Sequence, residues 1–134
     1  MNSASAGFKE GWEGTGHSIL VVDDDREVRQ VLTALLEVHG HAVVEAANGR
    51  DALRCLRSRE TSVCLILLDL SMPEMDGWSF RAEQRQDPRL VSIPVIILSG
   101  DSAAERESTQ LGAVAALIKP VDLERLLDLV AKHC

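Results

Sequence analysis

The chain has 134 residues, 46% hydrophobic and 26% charged, which is ordinary for a globular protein and enough for one domain with a core. Its 21 acidic residues outnumber 14 basic ones, and a net charge of -7 argues against nucleic acid as a partner, because that binding needs a basic footprint. No apolar stretch approaches a membrane span, and the first residues have neither the basic start nor the apolar segment of a secretory signal, so a cytoplasmic protein without membrane attachment is expected.

Residues 1–16 are rich in Gly, Ser and Ala, with Phe8 and Trp12 isolated among polar neighbours. They read as a flexible tail, although the two aromatics leave a docking motif open. From residue 17 to 134 the chain alternates strand and helix patterns. Ile19 to Val22 is a short apolar strand. Asp25 can cap a helix in which Val28, Val31, Leu32 and Leu35 recur on one face, and Gly40 is its natural stop. Ala42 to Val44 is a second strand. A helix from about Gly49 to Arg59 turns Ala52, Leu53 and Leu56 inward. Val63 to Leu68 is an apolar run bounded by turn signals, the pattern of a strand buried on both faces, and Asp69 ends it.

A further helix begins near Asp76 and ends before Pro88, with a thin apolar stripe of Trp78, Phe80 and Ala82. Pro94 to Ser99 is the fourth strand. Ser102 and Glu105 have capping-box spacing for a mostly polar helix that Gly112 ends. Val114 to Ile118 is the fifth strand, and Asp122 caps a last helix with Leu123, Leu126, Leu127 and Val130 on one face. Strands alternating with helices over short connections imply an α/β fold, a parallel sheet covered on both sides. Cys55, Cys64 and Cys134 are scattered and odd in number, so reduced buried thiols are expected rather than disulfides. The four histidines show no metal-ligand spacing, and solvated or helix-end roles are expected for them.

The residues that close the strands carry the chemistry. Asp23, Asp24 and Asp25 follow the first strand, Asp69 ends the third, Ser99 ends the fourth, and Lys119-Pro120 follows the fifth. In a parallel sheet these ends share one edge, the edge where ligands bind in open α/β folds. Each residue alone has a bland reading as a helix cap or turn closer. Together they bring carboxylates, a hydroxyl and an ammonium to one place. Crowded carboxylates repel, and a hard divalent cation relieves that repulsion. A carboxylate can also attack phosphorus to give an aspartyl phosphate, with cations neutralising the transferred group.

These segments, from Ile19-Leu20-Val21-Val22-Asp23-Asp24-Asp25 through Leu67-Leu68-Asp69 to Asp76-Gly77, Pro94 to Gly100 and Ile118-Lys119-Pro120, resemble the receiver domains of two-component response regulators. The resemblance runs from about residue 17 to the end of the chain. It implies a doubly wound, flavodoxin-like sheet of order 2-1-3-4-5 with five helices, the strand order of the chemotaxis receiver. It implies that Asp69 is the phosphoacceptor and that Mg²⁺ is held by Asp23, Asp24, Asp69 and the backbone carbonyl of Ser71. Ser99 would be the switch hydroxyl, Lys119 the phosphate-contacting lysine, and Lys119-Pro120 a cis bond. Asp25 reads as a helix cap rather than a ligand.

The implied function is a phosphorelay switch, not an enzyme beyond self-phosphotransfer and autodephosphorylation. The implied partners are a sensor histidine kinase or phosphotransfer protein and a downstream protein effector. The chain stops soon after Asp122, so no output domain is expected to follow. Two alternatives stand beside this reading. A Mg²⁺-dependent aspartyl-phosphate phosphatase would normally place an acid two residues after the nucleophile, where this chain has Ser71. A receiver-shaped adaptor that never accepts phosphate would not need Asp24, Asp69, Ser99 and Lys119 together. Two departures from the family pattern are evident. Ala116 stands where many receivers carry Tyr or Phe. Arg81 and Gln84 stand where apolar residues are usual, which suggests a partly exposed helix or a partner surface.

Overall fold

A computed structural model of the chain describes residues 17–58, 62–70, 76–100 and 104–134. The expected tail, the Ser71 carbonyl and the Ser102 half of the capping box lie outside the described residues. In chain order the elements are β1 (Ser18–Val22), α1 (Arg26–Val38), β2 (Ala42–Ala46), α2 (Gly49–Arg57) and β3 (Val63–Asp69). They continue with α3 (Gly77–Gln86), β4 (Val95–Ser99), α4 (Ala104–Leu111), β5 (Ala115–Ile118) and α5 (Leu123–His133). The strands form one sheet, and every adjacent pair in the order β2-β1-β3-β4-β5 is parallel, as expected.

The sheet is buried on both faces, and side-chain alternation divides its residues between two helical layers. Leu20, Val22, Ile66, Leu68 and Ile97 face α2, α3 and α4. Ile19, Val21, Leu65, Leu67, Ile96 and Leu98 face α1 and α5. Each fully buried Leu or Ile contributes roughly 1.5–3 kcal/mol of transfer free energy, so these central strands dominate the core. Helix limits follow local chemistry. Asp25 accepts from the amides of Glu27 and Val28, Asp76 from Ser79, and Asp122 from Arg125. Asn48, not singled out in the sequence, caps α2 through the Asp51 amide. Gly40 and Gly112, with φ of 89° and 69°, end α1 and α4 in the left-handed region that glycine tolerates. His39 closes α1, its ring Nδ1 2.9 Å from the Leu35 carbonyl oxygen, and His133 is the last residue of α5.

The structure corrects several expectations about side chains. On α1 the buried pair is Leu32 and Leu36, while Val31 is exposed, because the stripe that meets the sheet is turned one position from the one the spacing suggested. On α5 Leu126 and Val130 are buried and Leu123 is exposed at the helix start. On α3 only Phe80 of the expected stripe is buried, and Trp78 and Ala82 face outward. Arg81 and Gln84 are themselves buried, not solvated (Gln84 at 0% exposure), because backbone carbonyls of neighbouring segments satisfy their donors.

The thiol expectation fails for two cysteines: Cys64 and Cys134 form a disulfide, with Cα atoms 5.4 Å apart across a sequence separation of 70. Cys64 lies near the start of β3 on the face packed by α5, and Cys134 directly follows that helix, so the fold brings together what spacing could not pair. Cys55 is the free thiol among the described residues. Burial first, then the charge of Asp51, pushes its pKa up, consistent with an unreactive side chain. Among the described residues no helix is long and apolar enough to cross a membrane.

Candidate functional site

The parallel register carries the strand ends to a common edge. Asp69 pairs with Leu98 and Ser99 with Ile118, so Asp69, Ser99 and the residue after Ile118, Lys119, lie at neighbouring strand ends. Lys119 is fixed there by its amide, which donates to the Ser99 carbonyl at 2.8 Å, and its peptide bond to Pro120 is cis. Asp23 directly follows β1, its amide donating to the Ala46 carbonyl of β2 at 3.2 Å.

Asp23, Asp24 and Asp69 each offer a carboxylate oxygen within 4.8 Å of the others. Asp23 is 0% exposed and Asp69 4%, while Asp24 faces solvent at the mouth. Burying two carboxylates so close together is costly unless positive charge meets them. Lys119 supplies it: its Nζ lies 2.9 Å from Asp23 Oδ2 and 3.4 Å from Asp69 Oδ1. Burial pulls the Lys119 pKa down, but the hydrogen bond and charge of Asp23, then those of Asp69, outweigh it and hold it above the ordinary lysine value. Oxygen donors at this spacing suit a hard divalent cation. Ser99, 6% exposed, directs its hydroxyl to Glu107 Oε1 on α4 at 3.4 Å.

The structure thus brings Asp23, Asp24, Asp69, Ser99 and Lys119 to one edge, as the sequence led us to expect. Asp25 sits beside them as a helix cap. Two contributors were missed. Arg29 Nη1 donates to the Asp23 carbonyl at 2.6 Å, while its Nε is held by Glu45 at 3.2 Å, so a residue of α1 fixes the backbone of the acidic turn. A cation in the first turn of a helix opposes the dipole preference, and that anomaly was its signal. Glu107 left no signal, because its acidic first-turn position is the favoured one.

Gly77 completes the frame. A Cβ there would lie 2.7 Å from the Leu70 Cα and 2.8 Å from the Asp69 carbonyl oxygen. Only glycine lets α3 start that close to the end of β3, and its amide donates to the Leu70 carbonyl at 3.0 Å.

Known proteins resemble this chain in sequence and in fold. The family model described as the response regulator receiver domain matches residues 19–131. The chain is 36% identical over 117 residues to Protein PilH of Pseudomonas aeruginosa, covering 84% of this chain and 93% of PilH. The chemotaxis response regulator CheY4 of Vibrio cholerae superposes with a TM-score of 0.77 at 30% identity, covering 89% of this chain and 99% of that one. The response regulator TrrA of Thermotoga maritima, determined in complex with Mg²⁺-BeF, matches with a TM-score of 0.75 at 26% identity, covering 88% and 99% of the two chains. The chain belongs to the receiver domain family of two-component and chemotaxis-type response regulators.

Proposed function

We propose that the chain is a cytoplasmic phosphorylation switch in which Asp69 accepts a phosphoryl group and thereby changes its affinity for a protein partner. The observation that carries this reading is the buried Asp69 carboxylate at the sheet edge, faced by the Lys119 ammonium and grouped with Asp23 and Asp24. The donor is a phosphohistidine of a sensor histidine kinase or phosphotransfer protein. An Asp69 oxygen forms the new bond to phosphorus as the donor P–N bond breaks, and the leaving imidazole keeps the electron pair and takes up a proton. Lys119 contacts the arriving phosphoryl oxygens, and Ser99 turns to donate a hydrogen bond to one of them.

Asp23, Asp24, Asp69 and the Ser71 carbonyl would hold Mg²⁺, which when bound would neutralise charge on the transferred group. An apolar groove lined by Val28, Val31, Leu32, Pro120 and Val121 runs beside Lys119 and suits the apolar flank of a phosphodonor helix. Self-phosphotransfer and autodephosphorylation are the only turnover expected.

Substituting Asp69→Asn should abolish labelling by a cognate kinase or a small phosphodonor. Labelling of the variant to wild-type stoichiometry would end the assignment. Sustained hydrolysis of small phosphate esters by the wild type would instead favour a phosphatase, which Ser71 in the usual acid position argues against.

A further inference from the structure

Among the described residues, side-chain hydrogen bonds from the rest of the fold reach helix α4 at two places. Its own apolar contribution is small: Ala104 and Leu111 are its buried residues. At its carboxyl end Arg81 of α3 donates from Nε to the Leu111 carbonyl at 2.8 Å and from Nη2 to the Gly112 carbonyl at 3.2 Å. The last turn of α4 has no basic residue of its own, so Arg81 supplies the cation that the helix dipole favours there. Arg81 is itself braced. Its Nη1 donates to Gln84 Oε1 at 2.8 Å, and Gln84 Nε2 donates to the Leu90 and Ile93 carbonyls at 2.9 and 3.1 Å. The bonds of Arg81 Nε and Nη1 and of Gln84 to Leu90 are buried. Toward the other end, Glu107 accepts the Ser99 hydroxyl at 3.4 Å.

A serine hydroxyl has one proton to donate. Donation to Glu107 and donation to a phosphoryl oxygen on Asp69 therefore exclude each other. We propose that Glu107 is a positioning residue for Ser99, holding its hydroxyl on α4 in the unphosphorylated chain. The proposal deepens the phosphoacceptor reading of Asp69 and rests on it. When Ser99 turns to the phosphoryl group, Glu107 loses its donor. The first turns of α4 then lack the Ser99 contact, while Arg81 still holds the carboxyl end at Leu111 and Gly112.

Hydrogen exchange across residues 104–113 of the full chain tests this first without any phosphodonor. Glu107→Ala should raise exchange in the first turns of α4 about tenfold and leave the Arg81-held end within about twofold. In a Ser99→Ala background the same substitution should have no such effect, because the contact is already absent. Unchanged exchange in Glu107→Ala, or an equal change in both backgrounds, would overturn the proposal and leave Glu107 an ordinary helix residue.

Glu107→Gln, which keeps an acceptor oxygen but loses the charge, guards against a general loss of structure. It should exchange like wild type without ligand, because its side-chain oxygen still accepts from Ser99. Glu107→Gln exchanging as fast as Glu107→Ala would overturn the proposal. No beryllofluoride response in wild type would count against the acceptor reading alone, since the ligand-free exchange judges Glu107 independently.

Discussion

Helices on the two faces of the sheet are attached by different balances of apolar packing and hydrogen bonding. On one side α1 and α5 press Leu32, Leu36, Leu126 and Val130 against the strands, and the Cys64–Cys134 disulfide ties the end of α5 to β3. On the other side α2 and α3 also pack apolar residues, Leu53, Leu56 and Phe80 among them, but α4 adds little apolar surface of its own and is held as well by a buried arginine that Gln84 braces. Apolar packing is graded and non-directional, so α1 and α5 resist displacement as a whole. Hydrogen bonds are directional, so the seating of α4 depends more on a few specific contacts. Ser99, at the site edge, donates to Glu107 of that helix.

The largest expected effect sharpens the apolar side of this contrast. Reducing the disulfide should lower unfolding free energy by about 4 kcal/mol, the chain-entropy value for a loop of 70 residues. Urea unfolding with and without a reductant would measure it. Cys134→Ser should remove the dependence on reductant, and a wild type indifferent to reductant would mean that the cross-link contributes nothing in solution.

Next come paired substitutions, one on each side. Leu126→Ala should cost about 3 kcal/mol through a cavity. Arg81→Met should cost about 2 kcal/mol through the unsatisfied Gln84 and carbonyl groups it leaves. The contrast lies in locality: Leu126→Ala should raise exchange in both α5 and the central strands, and Arg81→Met chiefly in α4. Equal spread from both would break the comparison.

A smaller effect belongs to the edge itself. Asp24→Asn should raise stability without divalent cations by about 1 kcal/mol, because it removes one of the three grouped carboxylates. Mg²⁺ should raise the wild-type melting temperature and do less for the variant. Identical wild-type melting with and without Mg²⁺ would speak against a metal site.

The smallest effect is alkaline. The Lys119 pKa is raised above 10.5 by its two aspartate partners. Its stabilising contribution is therefore complete below the unfolded lysine value and fades as pH rises through the folded one. The chain has no tyrosine whose ionisation would obscure this. Melting in chelator from pH 9 upward should fall more steeply for wild type than for Lys119→Met, and parallel curves would deny the ion pairs a role.

The sheet and its edge were legible in the sequence because both are written in local terms. Apolar runs such as Leu65 to Leu68 demand a buried strand, and a strand end carries whatever residue follows it, here Asp69 or Lys119. What stayed hidden depends on partners distant in sequence. Arg81 and Gln84 looked solvated because hydrophobic periodicity scores polar residues as outward, whereas the carbonyls that accept from Arg81 lie 30 and 31 positions away. Cys64 and Cys134 meet only once β3 and α5 have packed. Val31 and Leu36 exchange roles because a spacing rule fixes the width of a helical stripe better than its rotation.

The disulfide also divides the site topologically. Residues 64 to 134 form a covalent ring that contains Asp69, Ser99 and Lys119, whereas Asp23 and Asp24 belong to the linear segment outside it. A single backbone cut within the ring, at any peptide bond from β3 to α5, separates no fragment while the cross-link is intact. Asp69, Ser99 and Lys119 then stay on one molecule. A cut in the linear segment between Asp24 and Cys64 parts the acid pair from them, leaving the pairing of β1 with β3, the core packing and the Lys119–Asp23 ion pair to hold it in place.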